Sequence, residues 1–452
     1  MLPSYVSGQL PDNTSPVVQE LGRYTDTSVD LLWVPLTTYQ DKTKIVMSSS
    51  KLPSIMVVLG KSPEFIHAAQ RGMFWELGPY LKDYPNLREA NQTVLRNISV
   101  DGRIYSLYRT RELGRYGVTI RKDWLDRVGL PLPKTIEELY EVLKAFTLHD
   151  PDGDGKQNTY GLAISYPATF DVLQTWFGAP NQWGKDEDGG LVPVHLTAEY
   201  RESLRFLKKL YEEGLIDPHF AVKDPKFVRD PLVHGEAGML VDVADQAQRI
   251  ASDIEKAYGL TDVIDVFSGV EGPQGLRLPS NSGYDGMLAV STSAVKTEQE
   301  LRRVLDFLDK LNDKEMQVLL TSGIQGRHYQ KTPEMKDVDY NYEKDDLNKL
   351  LMYIPEVRTL PKAESPIRTK VQEVMKANES ILVDNPAEAF ISQTYMKNGP
   401  ALDLIISDAR IQFIIGQIDE AGWEQAMVQW RQNGGDAYME EINRQYREAG
   451  SK

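Results

Sequence analysis

Apolar and polar positions along this chain follow two different periods, and the two alternate from end to end. Ser28 to Pro35 (SVDLLWVP) and Ile55 to Leu59 (IMVVL) are short apolar runs that predict strands, the second of them buried. Between them, Tyr39 to Ser48 carries a helical pattern. Val118 to Arg121 predicts a further strand that leads into a helix over Asp123 to Val128, and Tyr160 to Ser165 (YGLAIS) predicts another strand. Strands that alternate with helices imply an α/β fold with largely parallel sheets.

Thr135-Ile136-Glu137-Glu138, preceded by Pro133, predicts a helix start through a capping box. Ile136, Leu139, Tyr140, Leu143 and Phe146 then follow at helical spacing. A second helix is expected over Ala198 to Glu213, burying Tyr200, Leu204, Leu207 and Tyr211, and a third over Leu301 to Leu311. Near the end, Trp423, Met427 and Trp430 line one helix face before a Gly434-Gly435 break. Neither an internal repeat nor a Pro/Gly/Ser linker is visible, which favours domains that interleave in sequence.

Composition narrows the function classes. The 452 residues carry a net charge of −15, which argues against nucleic acid, because phosphate binding needs clustered Lys and Arg. The chain has no cysteine, so disulfides, thiolate catalysis, iron–sulfur clusters and cysteine-type zinc sites are excluded. No apolar run reaches the ~18 residues of a transmembrane helix. Met1-Leu2-Pro3-Ser4 does not read as a signal peptide, so the protein is either intracellular or a mature chain without its export segment.

The stretch Asp150-Pro151-Asp152-Gly153-Asp154-Gly155-Lys156-Gln157-Asn158-Thr159 carries the strongest chemical signal. Carboxylates fall at loop positions 1, 3 and 5 (Asp150, Asp152, Asp154) and glycine at 6. The Lys156 backbone carbonyl stands at 7 and Asn158 at 9. Calcium takes six to eight hard oxygens, and this spacing curls them around one centre. Gly161 stands where an EF-hand has its bidentate glutamate, and a strand follows where a helix would. A fixed structural calcium is therefore expected rather than a sensor; the competing reading is a bare Asp/Gly-rich turn.

Catalytic motifs are missing. The six histidines form no H-E-x-x-H pair, and no phosphate-binding glycine loop, nucleophile elbow or dinucleotide fingerprint occurs. Facing carboxylates for glycoside hydrolysis are not singled out among 66 Asp and Glu.

Several segments, in order along most of the chain, resemble the family-1 extracellular solute-binding proteins, in particular the large lipoprotein type of Firmicutes. Leu52-Pro53-Ser54-Ile55 is similar to the family's "gdlPDi" step, with Ser for Asp. Asp101 to Leu107 (DGRIYSL) resembles "DGKiYalP", with Tyr108 in place of the proline. Ile120 to Asp126 followed by Gly129-Leu130 resembles "iRkDWLdklGl". The helix start at Thr135 and the Asp150 loop resemble "P-x-T-x-x-E-l … DPDGNGk", with Thr159 where some calcium-binding relatives carry an acidic ligand. Leu210 to Pro218 (LYEEGLIDP) and Trp430 to Tyr446 continue the match. The family's first strand and lipidated cysteine are not seen.

The resemblance implies a two-lobed periplasmic-binding-protein-like α/β fold, with residues 1–115 plus 286–332 in one lobe and 116–285 plus 333–452 in the other. Crossings are expected near Gly114 to Gly117, near Asp285 and after Gln330. It implies an oligosaccharide ligand in the interlobe cleft, closure by a hinge, delivery to ABC permease subunits, a cell-surface lipoprotein in the native form and a monomer. A sugar needs aromatic rings for its C–H faces and Asp, Asn, Gln or Arg for its hydroxyl rim. The candidate contacts are Trp176, Asn181 and Trp183 in a Gly/Pro-interrupted stretch, Tyr284 and Asp285 at the second crossing, Tyr108, Arg109 and Arg111 before the first, and Asp242 after the run Ala237 to Val241. Arg327 and His328 are weaker candidates, and Trp33 and Tyr39 are left open. Trp124, Trp423 and Trp430 are read as core. Arg109 and Arg111 raise an alternative, a binder of acidic, uronate-containing saccharides. A secreted carbohydrate-active enzyme is the rival from another class.

Overall fold

The computed structural model describes residues 1–4, 10–49, 51–329 and 365–450. The chain divides into two compact units, Met1–Arg111 with Ser282–Glu364 and Glu112–Asn281 with Ser365–Lys452. Glu112 to Arg115 thus go with the second unit, and Ser282 to Asp285 with the first. The crossing expected after Gln330 lies outside the described residues.

In the first unit, the apolar run Ile55–Val58 forms a strand as its pattern predicts. Strand Tyr284–Val290 is the centre of a three-stranded sheet, antiparallel to both Ile55–Val58 and Ser106–Thr110. The register shifts between Tyr284 and Met287. Gly286 lies there with φ 88°, a conformation that favours glycine. Helix Pro63–Gln70 buries Phe65 and Ile66, and the Phe65 and Phe74 rings lie 5.5 Å apart. The strand expected over Ser28 to Pro35 shrinks to Trp33–Pro35, and the helix after it runs over Leu36–Ser48. The chain does open in a strand, contrary to the sequence reading. Leu2–Ser4 pairs in parallel with Trp33–Pro35, and the Met1 ammonium donates to the Ile55 carbonyl at 2.8 Å.

The second unit is built on a four-stranded sheet in the order Ile264–Phe267, Tyr116–Arg121, Ala237–Val243, Tyr160–Ala163. Only the last pair is parallel. The expectation of largely parallel sheets is therefore corrected. Helix–strand alternation sets which elements follow one another, but direction is set where the chain enters a unit. Tyr116–Arg121 and Tyr284–Val290 are the first strands after a crossing, and both run against their neighbours.

Helix Ile136–Leu148 packs Leu139, Leu143 and Phe146 onto this sheet. Its approach is close because a Cβ at Gly161 would lie 2.7 Å from the Leu143 Cα, and one at Gly238 would lie 2.1 Å from the Phe146 ring. Thr135 caps the Glu138 N–H at 3.2 Å, but Glu138 returns to the Lys134 N–H rather than to Thr135. The complete capping box belongs to Thr297 and Glu300, ahead of helix Glu298–Lys310. Trp124 meets Phe146 edge-on at 5.4 Å, and Trp423 and Met427 of helix Glu420–Trp430 close the same core. Trp430 is also buried, beside His195. All three tryptophans expected to be core are core.

Candidate functional site

The Asp150 loop folds as its spacing requires. Asp150, with φ 48°, accepts from the N–H groups of Gly153 and Gly155, each at 3.1 Å. Asp152 accepts from the Asp154 N–H at 3.3 Å, and Asp154 from the Lys156 N–H at 2.8 Å. Gly153 and Gly155 take φ 76° and 78°. One oxygen from each of Asp150, Asp152 and Asp154 falls within 4.8 Å of the others. Burial, and then the carboxylates of Asp150 and Asp154, hold the Asp152 carboxyl above its ordinary range. Asp154 is held low by hydrogen bonds from Lys156, whose Nζ lies 3.1 Å from Oδ2. Asn158 reaches Asp154 Oδ2 at 3.3 Å.

Two neighbours of this loop are excluded as ligands. The Thr159 hydroxyl is buried and donates to the Phe146 carbonyl at 2.8 Å. At Gly161 the helix leaves no room for any side chain, so the loop's twelfth position supplies no carboxylate.

The structure changes the roles expected of several ligand candidates. Trp176, 1% exposed, is a core residue of the second unit and offers no face to a ligand. Trp183 is buried against Tyr438, edge-on at 5.1 Å. Asn181, 6% exposed, donates to the carbonyls of Ser280 and Val383, both at 2.9 Å, and so ties two strand ends together. These three corrections share one cause: a Gly/Pro-interrupted stretch was read as an open loop, whereas its side chains turn inward. In the first unit, the buried Tyr108 hydroxyl accepts from the Asn91 N–H at 2.7 Å, and Arg109 is 5% exposed beneath Gly286. Both are interior groups. Arg111 forms an ion pair with Asp285, and its N–H donates to the Gly283 carbonyl at 3.0 Å. Tyr284 stands opposite Thr110 in the same sheet. Arg111, Tyr284 and Asp285 are thus gathered at one sheet end and remain partly exposed. His328 is buried, and its Nδ1 accepts from the Ile324 N–H at 2.9 Å, whereas Arg327 is exposed. Tyr39 is buried, its hydroxyl donating to the Val57 carbonyl at 2.7 Å, and Trp33 is half-buried with Nε1 donating to the Pro11 carbonyl.

Asp242 holds its expected place at the end of strand Ala237–Val243. It accepts from Ser165 Oγ at 2.8 Å, Gln246 Nε2 at 3.2 Å and the Val243 N–H at 2.6 Å. Around it stands a cluster that the sequence did not single out. Tyr116 begins its strand one residue from Gly117, the partner of Asp242 in the register. Burial, and then the carboxylates of Asp171 and Asp242, push the Tyr116 hydroxyl up to about 12. Tyr166 follows strand Tyr160–Ala163 and is 41% exposed. Arg410, on helix Gln393–Ile414, donates from Nη2 to the Tyr166 hydroxyl at 2.7 Å. Burial pushes the Asp171 carboxyl up to about 6, against the pull of the Arg410 cation. Gln182 reaches Asp171 Oδ1 at 3.4 Å. One signal for this cluster was present: in open α/β sheets, ligand groups gather beyond the carboxyl ends of parallel strands, where Tyr166 stands. Arg410 gave none, since it comes from a helix some 240 residues away and its spacing is that of any helix residue.

Comparison with known proteins places this arrangement. The sequence profile of bacterial extracellular solute-binding proteins matches residues 7–318. Lipoprotein LipO of Bacillus subtilis (strain 168) is 45% identical over 461 residues, covering 98% of this chain and 90% of that protein. The polygalacturonan/rhamnogalacturonan-binding protein YtcQ of the same organism is 34% identical, covering 96% and 88%. The Streptococcus pneumoniae ABC-transporter substrate-binding protein FusA, solved in complex with kestose, shares the fold with a TM-score of 0.71 at 18% identity, over 100% of this chain and 98% of that one. The rim of tyrosines and carboxylates at the strand ends therefore sits in a molecule whose relatives are made for binding and not for catalysis, and this chain belongs to the bacterial extracellular solute-binding proteins.

Proposed function

We propose that the protein captures an oligosaccharide outside the cell and hands it, as a surface-anchored monomer, to the membrane permease of an ABC importer. The observation that carries this reading is the cluster of Tyr116, Tyr166, Asp171, Gln182, Asp242 and Arg410 at the strand ends of the second unit. Tyrosine rings suit the apolar faces of pyranoses, and carboxylate, amide and guanidinium groups suit their hydroxyls. A relative at 34% identity is named for binding polygalacturonan and rhamnogalacturonan, which supports a saccharide as the ligand. On the first unit, Arg111, Tyr284 and Asp285 are further candidate contacts. Calorimetry and thermal melts with galacturonan, rhamnogalacturonan, galactan and fructan oligomers test the reading. One class is expected to bind and raise the melting temperature, with no new reducing ends on prolonged incubation. Sustained release of reducing ends, or silence across the whole panel, would refute it.

The Asp150 loop, in this reading, holds a structural calcium ion. Asp150, Asp152 and Asp154 supply carboxylate oxygens, Lys156 its carbonyl, and Asn158 its amide oxygen once the amide is turned. The close approach of three carboxylates fits a hard divalent cation, which offsets their mutual repulsion. Calcium at ten times its dissociation constant should stabilise the fold by about 1.4 kcal/mol. The D152N/D154N double variant should melt at one temperature with calcium or with EDTA. A wild-type melt that ignores EDTA would leave the loop an ordinary acidic turn.

A further inference from the structure

We infer that Arg410, seated under Tyr166, is the anchor for the carboxylate of a uronate-containing saccharide, an inference that rests on the reading that this end of the second unit binds a sugar. The basis for an acidic ligand thereby moves. Arg109, which first suggested it, lies in the interior of the first unit, and Arg111 is paired with Asp285. Arg410 differs from both. It is 8% exposed, yet among the described residues no carboxylate closes an ion pair with it. Its guanidinium lies 4.6 Å from the centroid of the Phe170 ring and 5.0 Å from that of Tyr166. Nη2 donates to the Tyr166 hydroxyl, but Nε has no hydrogen-bond partner. The Tyr200 hydroxyl is buried close by and feels the same cation.

A guanidinium has five N–H donors in a rigid fork, and burying it without an anion is costly. The same unit contains a fully matched example. Arg121, equally withdrawn from solvent, is gripped by both oxygens of Asp123 at 2.8 and 2.5 Å. Arg410 has aromatic faces on its sides instead, which leave the edge of the fork for a planar, two-oxygen anion. Tyr166, half of it open to solvent, provides a ring face beside that edge for the sugar that carries the anion. Asp171 stands near enough to feel the cation without pairing with it, and it would oppose a second carboxylate.

Isothermal calorimetry with trigalacturonate, its methyl ester and a neutral galacto-trisaccharide decides the matter, using wild type, Arg410→Lys and Asp171→Asn. Wild type should bind the free acid at least tenfold more tightly than the ester. Arg410→Lys keeps the charge and loses the fork, and it should remove most of that preference, with the free acid losing far more affinity than the ester. Asp171→Asn should tighten the free acid severalfold, and it serves as the test if Arg410→Lys does not fold. If the preference survives in Arg410→Lys, or Asp171→Asn weakens the acid, then Arg410 is a brace between helix Gln393–Ile414 and the Tyr166 turn, and the inference fails. Binding of the neutral sugar alone would overturn the uronate anchor and leave the oligosaccharide reading standing. Binding of none of these, nor of the wider saccharide panel, would remove both.

Discussion

Trp176→Ala is expected to lower the stability of the second unit by about 3–5 kcal/mol, the range for deleting a buried large aromatic side chain. Trp176 ends helix Ala168–Trp176 and lies wholly within the core that also holds Leu139, Leu173 and Leu204. The surrounding backbone is shaped to it. A Cβ on Gly269, which takes φ 153°, would stand 2.6 Å from the indole Nε1, and one on Gly272 would stand 1.6 Å from the Trp176 carbonyl oxygen. With neither glycine able to fill the space, truncation leaves a cavity that the unit cannot readily collapse into. Urea titration should give a lower midpoint with little change in slope, since the same surface is still exposed on unfolding. Saccharide affinity, measured where the variant is still folded, should fall by far less than the stability change would suggest. A variant as stable as wild type that no longer binds sugar would return Trp176 to the ligand contacts expected from its sequence.

That reversal illustrates what local sequence carries and what it does not. Periodicity located helix Ile136–Leu148 and the strands Ile55–Val58 and Tyr116–Arg121, because each element's core face is written in its own residues. The calcium-type loop was legible for the same reason: Asp150 to Asn158 is closed by bonds between residues two to five apart. Strand direction was not legible, because Tyr284–Val290 pairs with strands some 180 and 230 residues distant. The ligand candidates divide along this line too. Asp242 follows an apolar run, and that run forms the strand Ala237–Val243 that carries it. Trp183 and Asn181 looked like loop residues, but the pairing of Trp183–Lys185 with Leu191–Pro193, the packing of Tyr438 on Trp183 and the carbonyls of Ser280 and Val383 around Asn181 turn them inward. Arg410 is set by tertiary packing alone, its partners Tyr166 and Phe170 coming from the other end of the unit's sequence.

Asn181→Ala should cost roughly 1–3 kcal/mol, because the Ser280 carbonyl loses its partner while the Val383 carbonyl keeps the Ser280 N–H and loses one of two donors. The carbonyls belong to Ser280 and Val383, at the ends of the parallel pair Leu278–Pro279 and Leu382–Val383. This pair is only two residues long, and it is flanked by backbone bonds from the Leu278 N–H to the Ile381 carbonyl and from the Ser280 N–H to the Val383 carbonyl. Asn181 adds two side-chain bonds at the end of this pair. Directly after it, Asn281 donates to the Leu113 carbonyl, and the chain then leaves the unit at Ser282. Loosening the pair thus loosens the segments by which the chain passes from the second unit to the first, while helix Ile136–Leu148 should be untouched. Hydrogen exchange in Asn181→Ala should accelerate at 278–281 and 382–384 and stay slow at 139–146. Asn181→Asp should be worse than Asn181→Ala, since it places a carboxylate, which has no donor, against two carbonyl oxygens. If Asn181→Ala keeps wild-type exchange rates and loses only saccharide affinity, the side chain is a ligand contact and the strand pair holds without it.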